Sequence, residues 1–197
     1  MDARARILDA AASEFAERGV HGVRMEHVAR RADLNKSLVY RHFGAKDRLF
    51  DETLRREITR RTAMVEALPA DLAAMLRFWS AQQHADASFI RLIAQEGLAA
   101  ADAEPDVEPA AAEERRAYYR RQVDDLRALQ AAGRLPAGTD PEALFLGLLL
   151  LTVGPVILPQ IARLVLGDRA EGRWDGFLED LAAVLERAAA APEGDGD

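Results

Sequence analysis

Apolar residues recur along this chain at the spacing of a helix and almost nowhere at the spacing of a strand. In ARARILDAAASEFAERG, Ile7, Leu8, Ala11, Ala12 and Phe15 fall on one face of a helix that Gly19 stops. A short helix is predicted at about 25–31, with Val28 and Ala29 inward. Asn35 is placed to cap a third helix at 36–42, and Gly44 to close it. Leu49, Phe50, Leu54 and Ile58 stripe a fourth, from about 46 to 68, which Pro69 ends. β-Branched residues are sparse and nothing alternates cleanly, so the fold class is all-α.

Beyond Asp71 the pattern predicts helices at about 71–84, 86–101, 110–132, 141–166 and 172–190, about nine in all. Breaks fall at DAEPDVEP, GRLPAGTDP and LGDRAEG. This divides the chain into a head at 1–61, a body at 62–190 and a tail at 191–197 that is disordered by composition. Pro69 stands as a rigid junction between head and body. Residues 143–162, ALFLGLLLLTVGPVILPQIA, carry no charge, which is the length of a membrane span. Pro155 and Pro159 interrupt the run, Thr152 and Gln160 add polarity, and amphipathic helices flank it. The expectation is therefore a helix buried on most of its circumference, partly against a second subunit, with no membrane contact. The last helix carries a broad stripe of Trp174, Phe177, Leu178, Leu181, Val184, Leu185 and Ala188. Helices 141–166 and 172–190 would pair with their copies as a four-helix contact in a homodimer.

Composition sharpens this. Hydrophobic residues make up 49% and charged residues 30% of the 197, ordinary for a globular protein. With no cysteine, disulfides and thiolate chemistry are excluded. His21, His27, His42 and His84 lack metal-ligand spacing, and no phosphate loop or nucleophile motif occurs, so neither catalytic residues, metal nor cofactor are expected. The charged, amphipathic start predicts no secretory signal and hence a cytoplasmic protein. The formal charge of -7 is unevenly shared: residues 1–61 hold 14 basic and 10 acidic residues, the remainder 12 and 23. A basic head on an acidic body points to a polyanion partner for the head alone.

Two short helices at about 24–43, the second N-capped and basic, fit a helix-turn-helix. Val28, Leu34, Val39 and Phe43 would form the small core, and Asp33 the tight turn. That leaves Lys36, Ser37, Tyr40 and Arg41 outward, with Leu38 and His42 at the margins. Such a face mixes donors for base edges and phosphates with an apolar tip for a thymine methyl. Lys46, at the start of the next helix, would hold a phosphate. The same pattern also allows a helical adaptor indifferent to DNA.

The stretch ILDAAASEFAERGVHGVRMEHVARRADLNKSLVYRHFGAKDRLF, from Ile7 to Phe50, resembles the DNA-binding domain of the TetR family of bacterial repressors. Its most telling portion is Leu34 to Phe43, followed by Lys46-Asp47 and Leu49-Phe50. The resemblance implies a repressor that binds double-stranded DNA at a palindromic operator as a dimer and is released by a small-molecule effector. It implies that Tyr40 and Lys46 clamp phosphates, that Lys36, Ser37, Leu38 and Arg41 face the major groove, and that His42 lies near the backbone. Arg24 and Met25 stand where the family usually has a capping threonine, Asp33 where it has glycine, and Leu38 where threonine is frequent. Glu26 stands where a basic or polar residue is common. The candidate DNA-binding set is therefore Arg24, Met25, Glu26, Asn35, Lys36, Ser37, Leu38, Tyr40, Arg41, His42 and Lys46, with Leu38 on a thymine methyl and Glu26 accepting from a cytosine amine.

In the body, large apolar side chains are interspersed with amides and acids, as in a small-molecule site. Met75, Phe78, Trp79, Gln82, Phe89, Ile93, Glu96, Tyr118, Tyr119 and Gln122 are the candidate lining for a largely apolar effector.

Overall fold

The stripe at residues 7–15 folds as its spacing predicts. In the computed structural model, which describes residues 2–64, 71–100 and 108–190, α1 spans Ala3–Gly22 and buries Ile7, Leu8, Ala11 and Phe15. Gly19 takes φ 68° and ψ 167°, a kink after which helical turns resume. The dihedral calls for glycine, whereas a Cβ added there would meet only the movable end of the Gln95 side chain, 3.0 Å from its Oε1. α2 (Met25–Arg31), α3 (Lys36–Phe43), α4 (Lys46–Met64), α5 (Leu72–Ala85) and α6 (Ala87–Ala100) follow. Then come α7 (Ala112–Ala131), α8 (Pro141–Ile157), α9 (Pro159–Leu166), a 3-10 turn (Gly167–Arg169) and α10 (Ala170–Ala190). No strand occurs among the described residues. The expected junction at Pro69, the tail at 191–197 and most of the break at 102–109 lie outside the described residues.

Contacts divide the chain into two units: Met1–Val65 with Asp86–Arg116, and Glu66–Ala85 with Ala117–Asp197. The expected boundary near residue 61 therefore gains an exception, because α6 belongs to the first unit. Leu92 of α6 is buried in the same core as Ile7, Phe15, Val28, Val39, Phe43, Leu49 and Leu54, with Phe89 and Ile93 packed alongside. Removing each such side chain from water stabilises by about 1.5–3 kcal/mol before entropy is counted. Phe15 and Phe50 meet edge to face at 5.1 Å. Asp86 ties α6 to α4, its carboxylate lying 3.3 Å from Arg60 and 3.4 Å from Arg61.

The second unit packs Leu72, Met75, Leu76 and Trp79 of α5 against Leu126 of α7, Phe145 and Leu148 of α8, and Leu178 and Ala182 of α10. Ser80 donates to Asp175 at 2.8 Å, and the Trp174 indole to the Leu151 carbonyl at 3.0 Å.

The helix expected over 141–166 is two helices. Pro159 has no N–H to give and steers Leu158 out of the α region, to φ -118° and ψ 53°. The chain bends by 89° there, and among the described residues no single helix is long and apolar enough to cross a membrane. α8 buries one face, Phe145, Leu148, Thr152 and Val156. Leu146 and Leu150 stay exposed, as do Ile161, Leu164 and Val165 on α9. Burial on most of the circumference is thus not reached within one chain.

Candidate nucleic-acid interface

The geometry of the head starts at the end of α2. Asp33 takes φ 52°, the Leu34 N–H donates back to the Ala29 carbonyl at 2.9 Å and the Asp33 N–H to Arg30 at 3.1 Å. This is a Schellman closure with aspartate in the left-handed position that glycine normally fills. Arg6 of α1 caps the turn from behind, its guanidinium donating to the carbonyls of Ala32 at 2.6 Å and Asp33 at 3.1 Å.

The next helix starts on Asn35, whose Oδ1 accepts from the Leu38 N–H at 2.7 Å and from the Ser37 hydroxyl at 2.8 Å. Gly44, at φ 70°, ends α3, its N–H donating to the Tyr40 carbonyl at 2.8 Å. Asn35→Ala is expected to cost about 1 kcal/mol and to lower the melting temperature by roughly 4–8 °C. Asn35→Asp keeps the acceptor and should lose far less; equal melting of all three proteins would contradict the cap.

Val39 and Phe43 are fully buried, which turns the remaining side chains of α3 outward. Lys36, Ser37 and Arg41 are exposed, Tyr40 is 43% exposed, and Leu38 and His42 are half-buried at the margins. Lys46 is half-buried at the first position of α4. Arg24 and Glu26 are exposed, but no side chain caps α2; Glu26 supplies the only acid of its first turn. Met25 is a correction: it is 4% exposed and belongs to the core, so it is withdrawn from the reading face. Its neighbours point outward because a helix with one buried stripe turns the rest to solvent.

Two supporting residues were missed from sequence. Arg6 gives no local signal. Glu14 does, since it lies seven residues from Ile7 on the apolar face of α1. It is 4% exposed and gathers Arg18 at 2.9 Å and Arg31 at 3.3 Å, binding α2 to α1.

The candidate effector residues are divided between the two units. Phe89, Ile93 and Glu96 are in the first unit, where Phe89 lies 4.7 Å beneath the Arg61 guanidinium. Glu96 accepts from the Ala110 N–H at 2.8 Å and from Arg115 at 2.5 Å, which makes it a structural brace. Met75, Phe78, Trp79, Gln82, Tyr118, Tyr119 and Gln122 are in the second unit. There Gln82 is exposed, whereas Met75, Trp79 and Gln122 are buried. Phe145 joins them, 5.8 Å from Trp79 and 5.7 Å from Tyr119.

Residues 7–53, which contain this whole face, match the family model of bacterial regulatory proteins of the tetR family. Over 188 residues, 93% of each chain, the sequence is 30% identical to the HTH-type transcriptional repressor SCO4008 of Streptomyces coelicolor. The chain belongs to the tetR family. It is a DNA-binding transcriptional regulator rather than an enzyme. Solved structures share the fold. SCO4942 of Streptomyces coelicolor, a candidate transcriptional regulator, superposes with a TM-score of 0.74 at 24% identity, covering 91% of this chain and 98% of that one. A candidate regulator from Saccharomonospora viridis, solved in complex with choline, superposes with a TM-score of 0.71 at 21% identity, covering 92% and 95%.

Proposed function

We propose that this tetR-family protein is a cytoplasmic repressor that grips a palindromic operator as a homodimer and lets go when a small, largely apolar effector occupies its body. The observation that carries the reading is the exposed row Lys36, Ser37, Tyr40 and Arg41 over a fully buried Val39 and Phe43. Residues 1–61 read DNA and 62–190 serve effector binding and dimerisation, with α6 packed on the reading unit. Lys36, Ser37, Leu38 and Arg41 enter the major groove, and Leu38 meets a thymine methyl. Tyr40 and Lys46 hold phosphates; Arg24, Asn35 and His42 lie along the backbone.

The dimer reading rests on the apolar side chains that α8 and α10 leave outside: Leu146, Leu150, Phe177 and Val184. Covering them with a second copy builds a four-helix contact and sets two reading helices about 34–36 Å apart, one DNA turn. The effector reading rests on the aromatic group of Trp79, Tyr119 and Phe145, and on the buried Gln122 Oε1, which has no hydrogen-bond partner. An effector that favours a dimer whose heads are set wrongly for the groove weakens DNA binding by its differential affinity, typically about 1–3 kcal/mol.

Selection of bound duplexes from a random pool tests the reading. A palindromic site, bound with an affinity that falls steeply with salt, is the expected result. Arg41→Ala should weaken the selected site by about 1–3 kcal/mol and relax preference at one base pair, whereas Lys46→Ala should weaken every duplex alike and flatten the salt slope by about 1. A pool that emerges unenriched sinks the proposal.

A further inference from the structure

Lys36, the first residue of the reading helix, is held by an acid of the preceding helix. Its ammonium pairs with the Glu26 carboxylate, which reaches across from the first turn of α2. The same ammonium lies 5.5 Å from the ring centroid of Tyr40, one turn further along α3. Both members of the pair are half exposed, with 50% and 49% of their side chains open to solvent, so DNA can reach them. The Lys36 hydrogen bond holds the Glu26 carboxyl below its ordinary value, and the Glu26 hydrogen bond holds the Lys36 ammonium above its own. Near neutral pH both members of the pair are therefore charged. What opens the pair is competition from another anion.

Phosphates are that anion, and every sequence offers them equally. An unrestrained lysine at the tip of α3 adds affinity for any duplex, through counterion release, and adds nothing to discrimination. We propose that Glu26 is a specificity-determining residue that acts through Lys36: the ion pair withholds the ammonium from phosphates and keeps it aimed at the groove, where the operator complex uses it without breaking the pair. The inference rests on α3 being the reading helix. It gives Glu26 a role that needs no contact with a cytosine amine. It also gives a physical use to an acid on a basic face, where electrostatics alone would favour a neutral side chain.

The test is a double-mutant cycle on the full chain, Glu26→Gln, Lys36→Gln and both together. Binding to the selected operator and to a scrambled duplex is measured across a salt series, with thermal melting to confirm folding. Since an exposed ion pair is weak, Glu26→Gln should strengthen scrambled-duplex binding by about two- to fivefold. Its salt slope should steepen by about 0.9, one added phosphate contact. Operator affinity should change less, so discrimination falls. In the Lys36→Gln background the same change should leave the scrambled slope where Lys36→Gln put it.

Several results overturn the proposal. If Glu26→Gln strengthens scrambled DNA equally with and without Lys36, the carboxylate merely repels phosphate. If preference shifts at a single base pair with an unchanged slope, Glu26 reads a base. If the parent chain itself prefers no sequence, the fault lies in the reading of α3, and that outcome is visible before any variant is made.

Discussion

Phe43→Ala is expected to destabilise the first unit by about 3–5 kcal/mol and to abolish operator binding. Phe43 is fully buried at the end of α3 and is one of the largest enclosed side chains in the protein. Its ring is covered by the Arg4 guanidinium at 5.5 Å. Alanine leaves a cavity where α3 meets its supports, and the reading helix loses the side chain that fixes its rotation. Natural domains hold only about 5–15 kcal/mol in reserve, so the loss is a large part of the total. Phe43→Leu keeps most of the volume and should cost about 1.5 kcal/mol or less. Urea unfolding and operator titration of the two variants separate the effects: a Phe43→Ala protein that unfolds with the parent's midpoint would show that the ring is not holding the helix.

Glu14→Ala is expected to cost about 2–3 kcal/mol, a fall in melting temperature of roughly 10–20 °C for a unit of this size. The carboxylate is enclosed, with Arg18 at 2.9 Å, Arg31 at 3.3 Å and His27 Nδ1 at 3.9 Å. His27 Nδ1 has no hydrogen-bond partner and is itself buried. Deleting one partner of a fully enclosed ion pair costs about 3–5 kcal/mol. The value here is smaller because the side chains of Arg18 and Arg31 are 47% and 36% exposed, so that Arg18 can turn to water when the acid is gone, while Arg31 keeps Glu17 at 2.6 Å. Glu14→Gln retains an acceptor and should fall between parent and alanine. Operator affinity should drop slightly with both, since Arg31, the last residue of α2, is held by Glu14 at 3.3 Å together with Glu17 at 2.6 Å. A melting temperature within a degree of the parent for Glu14→Ala would remove the carboxylate from this role.

Much of the head was legible from local chemistry. The i, i+4 pair Val39 and Phe43, the cap on Asn35 and the stop at Gly44 are decided within a few residues, and each stands where the pattern put it. Asp33 in the left-handed region was legible for the same reason: tight turns admit only a few residue types. Met25 was not. A residue at the mouth of a helix faces in or out according to what packs above it, and the core of α1 and α4 lies far away in sequence. Arg6 and Glu14 act across similar gaps.

The body divides in the same way. Sequence by itself determined that these segments are helices, where most of them stop, and that Pro159 interrupts an apolar run, because periodicity, caps and a missing N–H act over one or two turns. Only tertiary structure decided that α6 packs with the reading unit, that the greasy segment bends by 89° and buries a single face, and that Lys36 is held by Glu26. Each of these joins residues from different helices, and such pairings depend on shape and on the competition between partners, which no local pattern records.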